Sequence, residues 1–518
     1  MGRVTRKTIA AVLAVLLLCA LVLTGCMAER DEGTETTAKD AALMTEEQTV
    51  AEDKDVFWIV TDEDSVMNSL VESVTEQFMQ EHPDIKINLQ ILPTDDQILD
   101  DTSYVDSREI MLQQLRTQIL AGRGPDVYLL PTGGSKYQML FEDVNLAMRN
   151  GLFEDISEYY EADTELRTEE LISGVMDAGV LGGHRYILPL RYDMPVAYVD
   201  VAQFEALGGS MDIFERGIMD IYQRVLSLND TRLAIGAYTT NDAAEAFSMN
   251  FLGEVIDYDK HRLLLQTEDL VSYLETVQAV RAMAEVEQDN WERLIAYSEP
   301  SNLADLFSRL EFWTDYECMY VGRLQDYLDN SAYAKLYEME IAAIPIADAN
   351  GKVSADITYY GAIGYGSNKV ELAYDYLRLF LTEQYQWVEN WDSCAFTHYF
   401  GWPVRQPGDV SSLWSMRQLE IGSFGVFANP DLDEEIRSEQ LELRESFLDE
   451  SFKITEEDLL PIMNDIACAQ FPIQLEWDLN CDVILELNES LTGSATDTDI
   501  KALAEDWLKE LEWHLYEG

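Results

Sequence analysis

The residues able to do chemistry in this chain are acids above all: 97 Asp and Glu stand against 35 Lys and Arg, with five histidines and six cysteines. Metal or nucleophilic catalysis needs these types at fixed spacings, and the spacings are missing. His82, His184, His261, His398 and His514 are scattered, with no H-E-x-x-H pair. No G-x-S-x-G elbow presents a serine, and no G-x-x-x-x-G-K-[ST] loop cradles a phosphate. Asp348-Ala349-Asn350-Gly351 and Asp497-Thr498-Asp499 lack the full calcium-loop spacing and its terminal Glu, and read as turns. A glycosidase needs only two suitably separated carboxylates, but among so many acids a pair picked by eye means nothing. Cys318, Cys394, Cys468 and Cys481 form no C-x-x-C pair, and disulfides or buried thiols both stay open. No cofactor and no metal are expected.

The first 25 residues carry a different signal. Arg3, Arg6 and Lys7 precede an apolar run from Ile9 to Leu23, the length of a signal-peptide core and short of the ~20 residues that span a bilayer. Leu23-Thr24-Gly25-Cys26 follows. Small residues before a cysteine at this point resemble the lipobox of bacterial lipoprotein signal peptides. The resemblance implies diacylglycerol on the Cys26 thiol, cleavage before it, and a mature protein anchored by lipid at the outer face of the cell membrane. An uncleaved anchor or an ordinary signal peptide is the alternative. Removing the three basic residues of the leader takes the net charge from −62 to −65. Such a charge argues against nucleic acid as a partner and repels anionic headgroups. Residues 26–54, rich in Glu, Thr, Asp and Ala, read as a disordered, self-repelling tether.

The elements that must position any site begin at Val56-Phe57-Trp58-Ile59-Val60, a buried-strand pattern in which Trp58 reads as core. The spacing of Leu70, Val74 and Phe78 predicts a helix over about 66–80, stopped at His82-Pro83-Asp84. A second strand is expected over 85–92, a second helix over 108–121 ending at Gly122, and a third strand over 126–130. This alternation specifies an open parallel α/β sheet. Ligands bind such sheets beyond the carboxyl ends of the strands. The loops Thr61–Asp64, Pro93–Asp95 and Pro131–Gly134 occupy that edge.

EQFMQEHPDIKINLQ followed by LRTQILAGRGPDVYLLP resembles the opening of the ABC-transporter extracellular solute-binding proteins that carry sugars, with Gly122-Arg123-Gly124-Pro125-Asp126-Val127 matching their turn into a strand. NGLFEDISEYYEAD, GGHRYILPLRYDMPVAYVDVAQFEALG, AIGYGSNKVELAYDYLRLFLTEQYQ and LNESLTGSATDTDIKALAEDWLKELE resemble later segments of that family in the same order. Trp313 to Gly322 departs from the family pattern, and the segment from about 410 to 465 is longer and more acidic.

The resemblance implies an α/β, two-lobed periplasmic-binding-protein-like (type II) fold with an interlobe ligand cleft and extra C-terminal helices. Lobe 1 is expected at 55–192 and 343–400, and lobe 2 at 193–342 and 401–518. The implied function is capture of a carbohydrate, most simply an oligosaccharide, for delivery to ABC-transporter permease subunits by a monomer that catalyses nothing. A non-sugar solute such as a peptide, a surface enzyme acting on glycans, and a ligand-free structural envelope lipoprotein are the alternatives. A sugar site pairs flat aromatic faces with fixed polar groups. Tyr192 and Asp193 fall at the implied first crossing between lobes, Tyr360 in the returning strand, and Trp313 and Arg323 beside the altered stretch. Asp62, Glu63 and Thr132 lie at the sheet's ligand edge. These eight are the candidate ligand contacts.

Overall fold

The computed structural model describes residues 56–62, 67–93, 103–132, 138–215, 217–229, 255–283, 318–324, 339–348, 352–353, 355–386, 401–406 and 500–517, with a few single residues between 327 and 334 and between 462 and 466. Cys26 with the leader and tether, Glu63, Trp313 and almost all of the acidic 410–465 stretch lie outside the described residues.

Strand β1 (Val56–Asp62) is buried along its whole length, so its apolar run packs on both faces, as in sheets covered by helices on both sides. Helix α1 (Asn68–Glu81) turns Leu70, Val71, Val74 and Phe78 inward. Phe78 stacks on Phe57 with ring centroids 5.8 Å apart, and the His82 amide closes the helix on the Phe78 carbonyl. Strand β2 (Lys86–Leu92) and helix α2 (Ser103–Leu120) follow. At the end of α2 the Gly122 amide bonds the Ile119 carbonyl and the Arg123 amide bonds the Gln118 carbonyl. Gly122 has φ +67°, a conformation cheap only for glycine. Strand β3 (Val127–Pro131) then enters parallel to β1.

Asp126 fixes this entry. Its carboxylate accepts from the Trp58 amide at 2.9 Å, the Ser367 hydroxyl at 2.7 Å and Lys369 Nζ at 3.0 Å. One short side chain thereby ties β1, β3 and the start of a later helix at the edge opposite the strands' carboxyl ends.

Strands β4 (Ile187–Asp193) and β5 (Pro195–Asp200) are separated by Met194 alone, yet they belong to different sheets. After helices α3 (Ile218–Leu228) and α4 (Thr267–Met283) come β6 (Met319–Arg323) and β7 (Ile341–Pro345), which flank β5 in a three-stranded antiparallel sheet. The chain then returns as β8 (Asp356–Ile363). Sheet 1 has the order β9-β4-β8-β3-β1-β2, with β9 formed by Trp402–Pro403. Strand β8 runs antiparallel to both β3 and β4. The sheet is therefore mixed, because the strand between β3 and β4 is supplied by the returning chain rather than by a local crossover.

There are two cores, and β5 contributes to both, with Val196 and Tyr198 in the larger and Ala197 and Val199 in the smaller. Sheet 1, α1 and helix α5 (Val370–Leu379) share the larger, which includes Phe57, Phe78, Tyr376 and Leu377. The smaller gathers Ala197 and Val199 of β5, Ile221 and Tyr222 of α3, Leu270 of α4, and Trp507 and Leu511 of the last helix, α6 (Ile500–Glu517). Cys318 is buried in this second core. Among the described residues no helix is long and apolar enough to cross a membrane.

Candidate ligand site at the strand crossings

The chain passes between the sheets at Asp193–Pro195 and again between Pro345 and Asp356. Both passages lie on the edge where β1 and β3 end, because Asp356 stands opposite Asp193 and Tyr359 opposite Pro131. Polar side chains collect there.

Asp62, the last residue of β1, is 1% exposed. Its two oxygens take Nη1 and Nη2 of Arg108 at 3.1 and 2.7 Å. The same guanidinium donates to the Pro93 carbonyl at 2.8 Å and to the Gln138 carbonyl at 3.0 Å. Arg108 thus gathers the ends of β1 and β2 and the segment after β3 into one rim, a bidentate geometry open to Arg and not to Lys. Thr132 sits just past β3 and donates its amide to the Thr358 carbonyl at 3.1 Å. Its hydroxyl is screened from solvent and meets no partner among the described residues.

Asp193 ends β4 at 2% exposure. It accepts the Met194 amide at 2.8 Å and Arg323 Nε at 2.7 Å. Arg323 also donates through Nη2 to Asp356 at 2.9 Å, and its own carbonyl accepts the Tyr198 hydroxyl. Of the expected contacts, then, the structure brings Asp193 and Arg323 together and adds Asp356.

Tyr192 and Tyr360 are placed differently from the stacking faces expected of them. Both are at most 1% exposed. Tyr192 stands in register between Ile357 and Trp402, and burial first, then the Asp193 charge, pushes its phenol above the usual range. Tyr360 packs edge-to-face on Phe153, and burial and the neighbouring Tyr128 and Tyr359 raise its phenol likewise. The reason is the cover on both faces of sheet 1. Strands β4 and β8 are buried on both faces along nearly their whole length, so position along them does not turn an aromatic outward. Trp402, completely buried, packs edge-on to Tyr327 at 6.1 Å.

Arg108 and Asp356 had no sequence signal, since their partners lie 46 and 33 residues away. No group of acids, histidines and cysteines able to hold a metal occurs among the described residues.

Two sheets and two hydrophobic cores, joined where strands cross and polar at that edge, define a two-lobed fold of the periplasmic-binding-protein type. The chain belongs to the family of bacterial extracellular solute-binding proteins, whose model matches residues 61–387. It therefore works outside the cytoplasm, on a solute. The sugar-binding protein MalE of Xanthomonas citri has a similar fold at 12% identity, with 89% of this chain and 98% of that one covered and a TM-score of 0.50. A family 1 extracellular solute-binding protein of Alicyclobacillus acidocaldarius matches at 12% identity over 89% and 98% of the two chains, TM-score 0.49. The galacto-N-biose/lacto-N-biose I-binding protein of a Bifidobacterium longum ABC transporter matches at 14% identity over 90% of this chain and 99% of that one, with a TM-score of 0.48. A search of curated proteins gives no match.

Proposed function

We propose that this chain is a non-catalytic receptor that captures a carbohydrate between its two lobes and delivers it to the permease subunits of an ABC transporter. The observation that carries this reading is the shared edge. Both passages between the sheets and the carboxyl ends of β1 and β3 converge on one polar rim, held by Arg108, where the Thr132 hydroxyl has no partner among the described residues. A buried hydroxyl without a partner costs free energy, and a sugar hydroxyl would supply one. Glu63 and Trp313 are proposed to complete the site, Trp313 as the flat face against the ring. Asp62, Asp193 and Arg323 act in this reading by holding the walls, and Tyr192 and Tyr360 as the packed layer beneath them. The sugar-binding protein of similar fold supports the cargo class.

Capture near a transporter also favours the anchor. In this reading Cys26 carries the lipid, residues 1–25 are removed, and residues 26–54 form the tether of a monomer. In place of the limits expected from the sequence, the lobes are drawn at about 56–193 with 356–406, and 195–345 with 500–517, because β9 pairs in sheet 1 and β7 in sheet 2. Thermal-shift screening against a panel of oligosaccharides tests the cargo. A rise in Tm with at least one of them is expected, and no shift across the panel counts against carbohydrate. Labelling with a fatty acid, lost in Cys26→Ala, tests the anchor. One observation favours a ligand-free structural lipoprotein: the carboxylates at the rim are met by this chain's own guanidinium groups. Failure of peptides and other solutes as well as sugars in the same screen would select it.

A further inference from the structure

The geometry points to Arg323 as a clamp across the strand crossings, a residue that sets how the two sheets stand to each other without itself touching the solute. This rests on the reading of the protein as a two-lobed receptor whose lobes move, and it concerns the control of that motion.

Asp193 and Asp356 oppose each other directly across β4 and β8. Like charges in this position repel, and both residues are nearly completely buried. Each stands at a passage: Asp193 is the last residue of sheet 1 before the chain leaves it, and Asp356 is the first after the chain returns. The charge that reconciles them comes from the other sheet. Arg323 ends β6, stands opposite Pro195 of β5, and is held on its own side by the bond from Tyr198. Its Nε meets Asp193 at 2.7 Å and its Nη2 meets Asp356 at 2.9 Å. One rigid fork thus spans both passages, and a rotation of sheet 2 about Asp193–Pro195 moves it away from at least one carboxylate. A lysine, with a single charged nitrogen, cannot reproduce two separated contacts.

The amides beside the clamp report its state. Leu324 donates to the Met194 carbonyl at 2.9 Å and Ile346 to the Pro195 carbonyl at 3.1 Å. Hydrogen exchange on the solute-free full-length protein is the test, comparing wild type, Arg323→Lys and the neutral triple variant Asp193→Asn/Arg323→Met/Asp356→Asn, which removes the three charges together to guard against simple misfolding. The expected result is exchange about tenfold faster at Leu324 and Ile346 in both variants, with β1 and α5 unchanged. Unchanged exchange at these two amides overturns the clamp. A uniform rise across both cores also overturns it, since Arg323 would then serve overall stability only. The measurement uses no sugar, so a failed carbohydrate screen leaves its outcome standing.

Discussion

Two guanidinium–carboxylate centres lie on the same edge of this protein and do different things. At Arg108 one cation gives two bonds to the Asp62 carboxylate and others to backbone carbonyls of nearby loops. At Arg323 one cation is divided between two carboxylates that belong to the other sheet. Among the described residues the first centre lies within one lobe's rim. The second joins parts that the fold allows to move. The difference teaches that ion-pair chemistry fixes shape where all its partners share a sheet, and controls a joint where they do not.

The largest effect is expected at the first centre. Asp62→Ala removes the carboxylate that takes two bonds from the buried Arg108, and should cost about 3–5 kcal/mol in chemical denaturation. Asp62→Asn/Arg108→Met should recover most of that loss, because the two charges are removed together. A loss as large in the double variant would show that the bonds to Pro93 and Gln138, not the ion pair, hold the rim.

Next comes the Thr132 hydroxyl, which neither centre satisfies. Thr132→Val should leave Tm unchanged or slightly higher while weakening the best oligosaccharide found by thermal shift, by about 1 kcal/mol in isothermal titration. Unaltered affinity would remove Thr132 from the site.

The smallest effect is expected far from both centres. Burial works to raise the Asp155 carboxyl, but bonds from Ser157 and His184 outweigh it and hold it below the ordinary range. A lowered folded value stabilises the protein above the unfolded pKa of about 4, and that contribution is lost as the pH falls through the lowered value. The pair is largely exposed, so His184→Ala should shift acid unfolding only slightly, by well under about 1 kcal/mol. A loss comparable to that of Asp62→Ala would erase the contrast between buried centres and surface pairs.

Much of the first lobe is legible in the sequence because its signals are local. The Leu70–Val74–Phe78 stripe, the His82-Pro83 stop and the Gly122–Asp126 turn each fall within a few residues of what they determine. The helix expected over 66–80 is found over 68–81, and the strand expected over 126–130 is found over 127–131. The second helix starts five residues earlier than its apolar spacing suggests, at Ser103. The rim is less legible. Asp193 and Arg323 stand out as residue types, but their pairing spans 130 positions, and Asp356 has no local mark at all. Tyr360 shows the converse failure: an aromatic near a glycine in a returning strand looks exposed until the cover on both faces of the sheet is known.

Strand β8 has a consequence for biogenesis. It fills the slot between β3 and β4, so β3 lacks one of its two neighbours until residue 363 is available. The Tyr359 hydroxyl then closes onto Thr61, 298 positions earlier. Pairing across such separations is slow, since the loop must close before any bond rewards it. An emerging chain therefore presents the β3 edge bare while well over two hundred further residues are delivered, and it is in this interval, rather than in the finished receptor, that the protein is most open to aggregation and proteases.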